Sequence, residues 1–488
     1  MKKMSKMLVL LLVAALVMVG CSNEESSTKS TEDGTYEVVM AYMNFSNIQD
    51  IESVQEGISK IAKEKINATV KLMPISAGAW QEQSNLLLTG SEQLDLILSS
   101  SFYGYNTNAI KGQYLPLDDL LESHGQGILE TMPEHILEGN KVNGNIYGIP
   151  SVRDWSANYG IAMRKDILDK YNIDVTQIKD WKDLGEVFAI VKENEPTLTP
   201  LVNTSQTPVY SMTGGIYDEL GESLGVMRFD DSGKIVNLFE QPEYIENVEL
   251  VREWYQKGYI LKDAATSTEA SVNVVAAGKG FGYFNNLKPG YDVQESILAG
   301  TEMVVVELSE PFIYTTASTG FNLSISKNTR NKEKTMEFLN LLYTDADVMN
   351  LLANGIEGKH YEVNEEGTIQ LPEGVTESSY VFNAWMMGNN ALTYPWVGNS
   401  PDYWEEMSEF NDSGIISPAF GFTFNPDPVK TEIAAASNVV TEFRRGIESG
   451  TLDPEKSLSD FNEKLKSAGL DKIIAEKQKQ FDEWEASK

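Results

Sequence analysis

From Glu37 onward the apolar positions fall into two alternating periods. Glu37 to Met43 carries the two-residue period of a strand, and Asp50 then opens a segment that puts Ile51, Val54, Ile58, Ile61 and Ala62 on one helical face. Thr69 to Met73 predicts a second strand, Trp80 to Leu88 a second helix and Leu94 to Leu98 a short third strand. That β-α-β-α-β order predicts an α/β unit with a parallel, doubly wound sheet, in which ligands settle beyond the carboxyl ends of the strands. The loops at those ends are Asn44 to Gln49 and Ser99 to Asn108, both rich in hydrogen-bonding side chains.

A second unit begins near Ile149-Pro150, where two extended stretches flank Arg153-Asp154-Trp155 and a helical pattern follows at Trp181, Leu184, Val187, Phe188 and Val191. Phe281 to Phe284 and Tyr314 to Ser326 read as strands, and Met336 to Tyr343 and Val348 to Leu352 as helices. Local signals leave open which unit each of these joins. With 488 residues two lobes are expected, since single hydrophobic cores stop growing near ~250–300 residues.

The start of the chain follows neither period. Lys2, Lys3 and Lys6 precede an apolar run from Met7 to Gly20, and Cys21, the only cysteine, comes next. This is the layout of a secretion signal. The run Met18-Val19-Gly20-Cys21 resembles a lipobox, with cleavage before Cys21 and a diacylglyceryl thioether on its sulfur, although Met18 stands where Leu is usual. A bilayer-spanning helix needs about 20 apolar residues, more than this run supplies. Residues 21–35 are polar and small, with nothing to bury, and read as a flexible tether. Loss of residues 1–20 removes three lysines and takes the formal charge from −33 to −36. So acidic a chain repels phosphate backbones, so nucleic-acid binding is disfavoured. With Cys21 acylated no disulfide can form within a monomer, and stability must come from burial.

Several stretches in fixed order carry a family resemblance: Asp95 to Leu98, Tyr147 to Pro150, Tyr159 to Leu168, Gly278 to Phe284, and Gly320 to Asp345. Together they resemble the extracellular solute-binding proteins that deliver sugars to ABC importers, the group that includes maltose-binding protein. The tail, from Phe422 and again from Asp453, looks like the terminal domain of LipO-type binding lipoproteins. The resemblance implies a periplasmic-binding-protein-like fold of two α/β lobes, each a doubly wound sheet with flanking helices, and a ligand cleft between them. Crossings are expected near Pro150 to Asn158, Phe312 to Gly320 and Tyr380 to Gly398. Lobe one would hold 36–150 and 320–379, and lobe two 151–319 and 380–488, including a LipO-type domain from about 420. Gly148, Gly160 and Gly320 are available to a hinge.

The function implied is a lipid-anchored, monomeric binding component of an ABC importer, on the extracytoplasmic face of the membrane. It would close on an extracellular solute, such as an oligosaccharide, and deliver it to permease subunits, with no cofactor and no catalytic residue. A peptide or another polar solute is the second reading, and a surface glycoside hydrolase the third. Catalytic and metal signatures are sparse. His124, His135 and His360 show no paired-ligand spacing, Gly278 to Gly282 lacks the span of a phosphate loop, and no G-x-S-x-G elbow occurs.

A pyranose has an apolar C–H face and a rim of hydroxyls, so its site needs flat rings and planar polar groups. Two loop-like segments supply both: Arg153-Asp154-Trp155, and the run holding Trp385, Tyr394, Trp396 and Trp404. Any of these rings could instead seal the junction between lobes. Asp154 could accept paired hydroxyl bonds while Arg153 offers a donor fork, or the two could form a plain ion pair. Asn44, Tyr103, Asn285 and Glu357 stand at strand or helix ends expected to face the cleft. Trp181 and Trp254 read as core, and Trp484 as terminal-helix packing.

Replacing Cys21 by Ala should abolish metabolic fatty-acid labelling without changing ligand affinity. Label persisting in the variant would exclude Cys21 as the attachment point.

Overall fold

The computed structural model describes residues 34–46, 48–204, 206–230 and 233–487. The signal segment, Cys21 and nearly all of the expected tether lie outside the described residues. Thr35, assigned to the tether, is buried, and its hydroxyl bonds Asn67 at 3.3 Å.

The opening strands and helices follow the predicted order: β1 (Tyr36–Asn44), α1 (Ile51–Ile66), β2 (Ala68–Ser76), α2 (Trp80–Thr89) and β3 (Leu96–Ser99). β1 pairs parallel with both β2 and β3. α1 buries Val54, Ile58 and Ala62 and ends where Asn67 turns left-handed at φ 52°, a conformation that Asn tolerates better than most side chains. β4 (Ile149–Pro150) closes this stretch. The second body contains β5 (Asn158–Arg164), α3 (Leu184–Asn194), β6 (Thr199–Leu201), α4 (Pro242–Gln256), β7 (Gly280–Leu287), α5 (Tyr291–Ala299) and β8 (Met303–Glu307). After β9 (Phe312–Ile313) the chain returns through β10 (Asn322–Ile325), α6 (Lys332–Thr344) and α7 (Ala346–Asn354). It ends with α8 (Tyr403–Ser413), β11 (Ile415–Ile416), α9 (Lys430–Glu448), α10 (Pro454–Ala468) and α11 (Leu470–Glu485).

The fold is thus α/β and two-lobed. One sheet has the order β2-β1-β3-β10-β4 and the other β8-β5-β7-β6, each above its own hydrophobic core. Both sheets are mixed: β10 runs antiparallel to β3 and β4, and β5 antiparallel to β7 and β8. A buried carboxylate closes the first lobe. Asp95 accepts from the Tyr36 hydroxyl (2.5 Å), the Val39 N–H (2.8 Å), Gln93 (2.8 Å) and the Thr329 hydroxyl (2.6 Å). It therefore stitches β1 to a segment almost 300 positions later in sequence, with its buried oxygens met by hydroxyl and N–H donors.

Two expectations about the crossings are corrected. Tyr380, Phe382, Met386 and Met387 belong to the first core, where the resemblance put residue 380 onward in lobe two. The third strand at the junction is β11, which pairs parallel with β9, so the last crossing extends beyond Tyr380 to Gly398 through α8 to β11. An apolar aromatic segment shows that it will be buried but not against which core. Gly160, offered as a hinge residue, lies inside β5, where a Cβ would overlap the Val306 carbonyl; its lack of a side chain serves strand packing.

Helices α9 to α11 are not a separate body. Phe443, Ile447, Phe461, Leu465, Leu470 and Ile473 all join the second core. Lys477 on α11 is fully buried; its ammonium donates to the Gly225 carbonyl at 3.0 Å and stands 3.7 Å from Glu222. Burial pulls its pKa down to about 8, with Glu222 only partly opposing. Between about 8 and the ordinary lysine value the unfolded chain holds a proton that the folded chain does not, so stability rises with pH across that window. We expect wild type to gain up to about 3 kcal/mol between pH 8 and 10.5 relative to Lys477→Met, which should be no less stable at pH 7. Parallel urea-denaturation curves for the two proteins over that range would refute this.

Candidate ligand-binding cleft

The chain leaves β4 at the carboxyl edge of the first sheet and crosses through Ser151 to Ala157. Arg153 there donates from Nε to Asp154 and lies over the face of Trp385, 5.3 Å from the ring centroid. Lys288, just past the end of β7 in the second lobe, stands 3.6 Å from the other oxygen of Asp154. Only 10% of the Asp154 side chain is exposed. Burial alone would raise its pKa, but the charges of Arg153 and Lys288 outweigh that and hold the carboxyl below the usual range. Asn411 of α8 brackets the segment, accepting from the N–H groups of Trp155 (2.8 Å) and Ser156 (3.0 Å) and donating to the Arg153 carbonyl (2.7 Å).

A row of aromatic rings runs from this point along the strand ends of the first sheet. Trp385 meets Phe321 edge-on at 4.8 Å, Phe321 lies 6.0 Å from Phe102, and Phe45 lies 6.1 Å from Trp385. Phe45 follows β1, Phe102 follows β3, and Phe321 immediately precedes the antiparallel β10, so all three sit at one edge. The Ser101 N–H donates to the Thr319 carbonyl at 2.8 Å and the Phe102 N–H to the Ser100 hydroxyl at 3.1 Å, which hold the Phe102 loop against a crossing segment. Phe45 is 55% and Phe102 71% exposed. Large rings left open in a row at the ligand edge of a sheet mark a binding surface.

Sequence reasoning singled out Arg153, Asp154, Trp155 and Trp385, which the structure brings together, but passed over Phe45, Phe102, Phe321 and Lys288. Their signal was position: each flanks a strand end. Trp155 is half-buried, with its indole N–H on the Ser151 carbonyl at 2.9 Å. Asn44 precedes Phe45 and bonds within its own turn, Tyr103 packs on the first core, and Asn285 is tied to the Tyr291 hydroxyl. The remaining candidates lie apart from this row in their contacts. Tyr394 pairs with Tyr361 at 6.5 Å, exposed Glu357 bridges to Tyr361, and Trp396 pairs with Ile369. Trp404 donates to the Thr393 carbonyl at 2.8 Å and packs on Tyr403. The loop that holds them spans the lobes: the Tyr394 N–H bonds Asn350 of α7, while Asn399 presses on Gly290 at the start of α5.

A cavity of 1380 Å³ lies elsewhere, between residues 101–144 of the first lobe and residues 416–427 of the tail. Size does not make it the ligand site. An open cleft encloses little volume, whereas the aromatic row and the Asp154 cluster hold the groups that a polar ligand with apolar faces requires. Among the described residues no set of three His, Cys, Asp or Glu could hold a metal ion.

Comparison with known proteins gives the chain a family. Residues 46–349 match the bacterial extracellular solute-binding protein family, and residues 418–486 match a domain of unknown function (DUF3502). The chain belongs to the bacterial extracellular solute-binding proteins. This binding protein is similar to a carbohydrate ABC transporter substrate-binding protein of Streptococcus pneumoniae serotype 4, 29% identical with 96% of this chain and 95% of that one covered. It is also similar to lipoprotein LipO of Bacillus subtilis, 22% identical over 98% of this chain and 92% of that one. The crystal structure of the N-glycan transport solute-binding protein NgtS of Streptococcus pneumoniae superposes with a TM-score of 0.82, at 28% identity and 92% and 98% coverage. NgtS with Man1GlcNAc scores 0.73 and with Man5GlcNAc 0.69.

Because the folded pKa of Asp154 lies below the unfolded value, its contribution to the stability of the binding protein is present above about pH 4 and fades as pH falls through the folded value. Asp154→Asn should therefore cost about 2 kcal/mol at pH 5 to 8, since two cations lose their counter-charge, and the difference should shrink below about pH 4. Urea unfolding of both proteins across pH 3 to 8 measures it; a gap unchanged at pH 3 would deny Asp154 that charge role.

Proposed function

We propose that this chain captures an oligosaccharide, of N-glycan type, in the cleft beside Trp385 and delivers it to the permease of an ABC importer without altering it. The observation that carries the reading is the open row Phe45, Trp385, Phe321 and Phe102 ending at the Arg153–Asp154–Lys288 cluster. The rings offer faces to sugar C–H surfaces, and the cluster offers charged hydrogen-bonding groups for hydroxyls. NgtS, at 28% identity over nearly the whole chain, is a glycan-binding protein by its own description. A lipid anchor on Cys21 would fit the role, since it would hold the body beside its permease.

Glycoside hydrolysis is the weaker reading. It needs an acid whose pKa is raised so that it holds a proton, and Asp154 is pushed the other way by two cations. The binding protein also matches NgtS with no glycan named more closely than either glycan complex, which supports hinge closure on the ligand.

Titration with Man5GlcNAc, followed by small-angle scattering and chromatography of the sugar, tests the proposal. We expect binding, a smaller radius of gyration and intact glycan. Trp385→Ala should weaken binding by about 2 kcal/mol, roughly thirty-fold, with little loss of stability because the ring is only half-buried. Cleaved product from wild type would overturn the reading in favour of a hydrolase.

A further inference from the structure

Consecutive residues of the tail join opposite lobes. Ala419 and Phe422 pack with Leu220, Met227, Ile235 and Phe481 in a small core of the second lobe. Phe420, between them, packs against the core of the first. Its ring rests on the bare backbone of Gly139, where a Cβ would overlap it, and lies 6.2 Å from the ring of His135. Gly421 follows at φ 87°, and a Cβ there would stand 3.3 Å from the Gly139 Cα, so two glycines let the backbones of the lobes come close. Beside them Asn106 donates to the Thr423 hydroxyl at 3.3 Å.

These contacts lie in the 1380 Å³ groove, which shares no lining residue with the aromatic row. The crossing segments stand between the two. They give Asp154 and Phe321 to the row, and Thr315, Thr316, Thr319, Ile416 and Ser417 to the groove side. A rotation about these crossings that narrows one side widens the other.

We propose that the C-terminal module of unknown function is a latch: Phe420, seated on Gly139 behind the hinge, holds the lobes apart at the sugar cleft, and closure withdraws it. Phe420 then sets ligand affinity without touching ligand, because a binding-competent state that is seldom populated lowers apparent affinity by its population. The affinity part of this rests on the glycan reading above; the effect on lobe arrangement does not.

The test uses the chain from residue 22, which has no thiol of its own. An interlobe distance distribution of the ligand-free protein should shift toward the compact state in Phe420→Ala, and Man5GlcNAc should bind about ten-fold tighter. Asn106→Cys combined with Thr423→Cys, once oxidised, should abolish glycan-induced compaction and weaken binding at least ten-fold, both restored by reductant. Ligand-free distances in Phe420→Ala equal to those of wild type, or compaction that survives the disulfide, would overturn the latch. Failure of wild type to bind the glycan would instead sink the glycan reading, and the ligand-free distances would still decide the latch.

Discussion

A carboxylate carried across the junction between two lobes has to keep its counter-charges with it, and Asp154 shows what that requires. Desolvation disfavours its charge, so Arg153 must stay beside it from the same crossing and Lys288 must reach it from the second lobe. Once Arg153 is committed to Asp154, its guanidinium lies over Trp385, and the indole is held in place. The placement of the aromatic row follows from that anchoring, because Phe321 and Phe45 pack against the same indole.

The lobes themselves depend on long-range closure. The first is built from two stretches of chain separated by most of the second, and Asp95 joins them by collecting donors from β1, from its own strand approach and from the start of the α6 segment. Each of the three crossings therefore runs between two bodies that are already internally tied, so motion concentrates at the crossings. The tail adds a further constraint. Its three helices are part of the second core, yet the loop before them reaches back to the first lobe through Phe420.

Much of this was legible in the chain. The alternation of periods from Glu37 to Leu98 was enough for three parallel strands and two helices, because a half-buried element must repeat its apolar positions at its own pitch. Arg153, Asp154, Trp155 and Trp385 stood out because rings and charges in loops have no local structural use. Phe45, Phe102 and Phe321 did not stand out, since an isolated phenylalanine next to a strand reads as core.

What the sequence determined by itself was local: element type, the acidic composition, and where the first strands end. Tertiary structure alone decided that Tyr380 to Met387 joins the first core, that β11 pairs with β9 at the junction, and that Lys288 faces Asp154. The physical reason is the same in each case. Hydrophobic burial is non-directional, so a segment's composition says that it will be buried while only the packing of distant segments says against what.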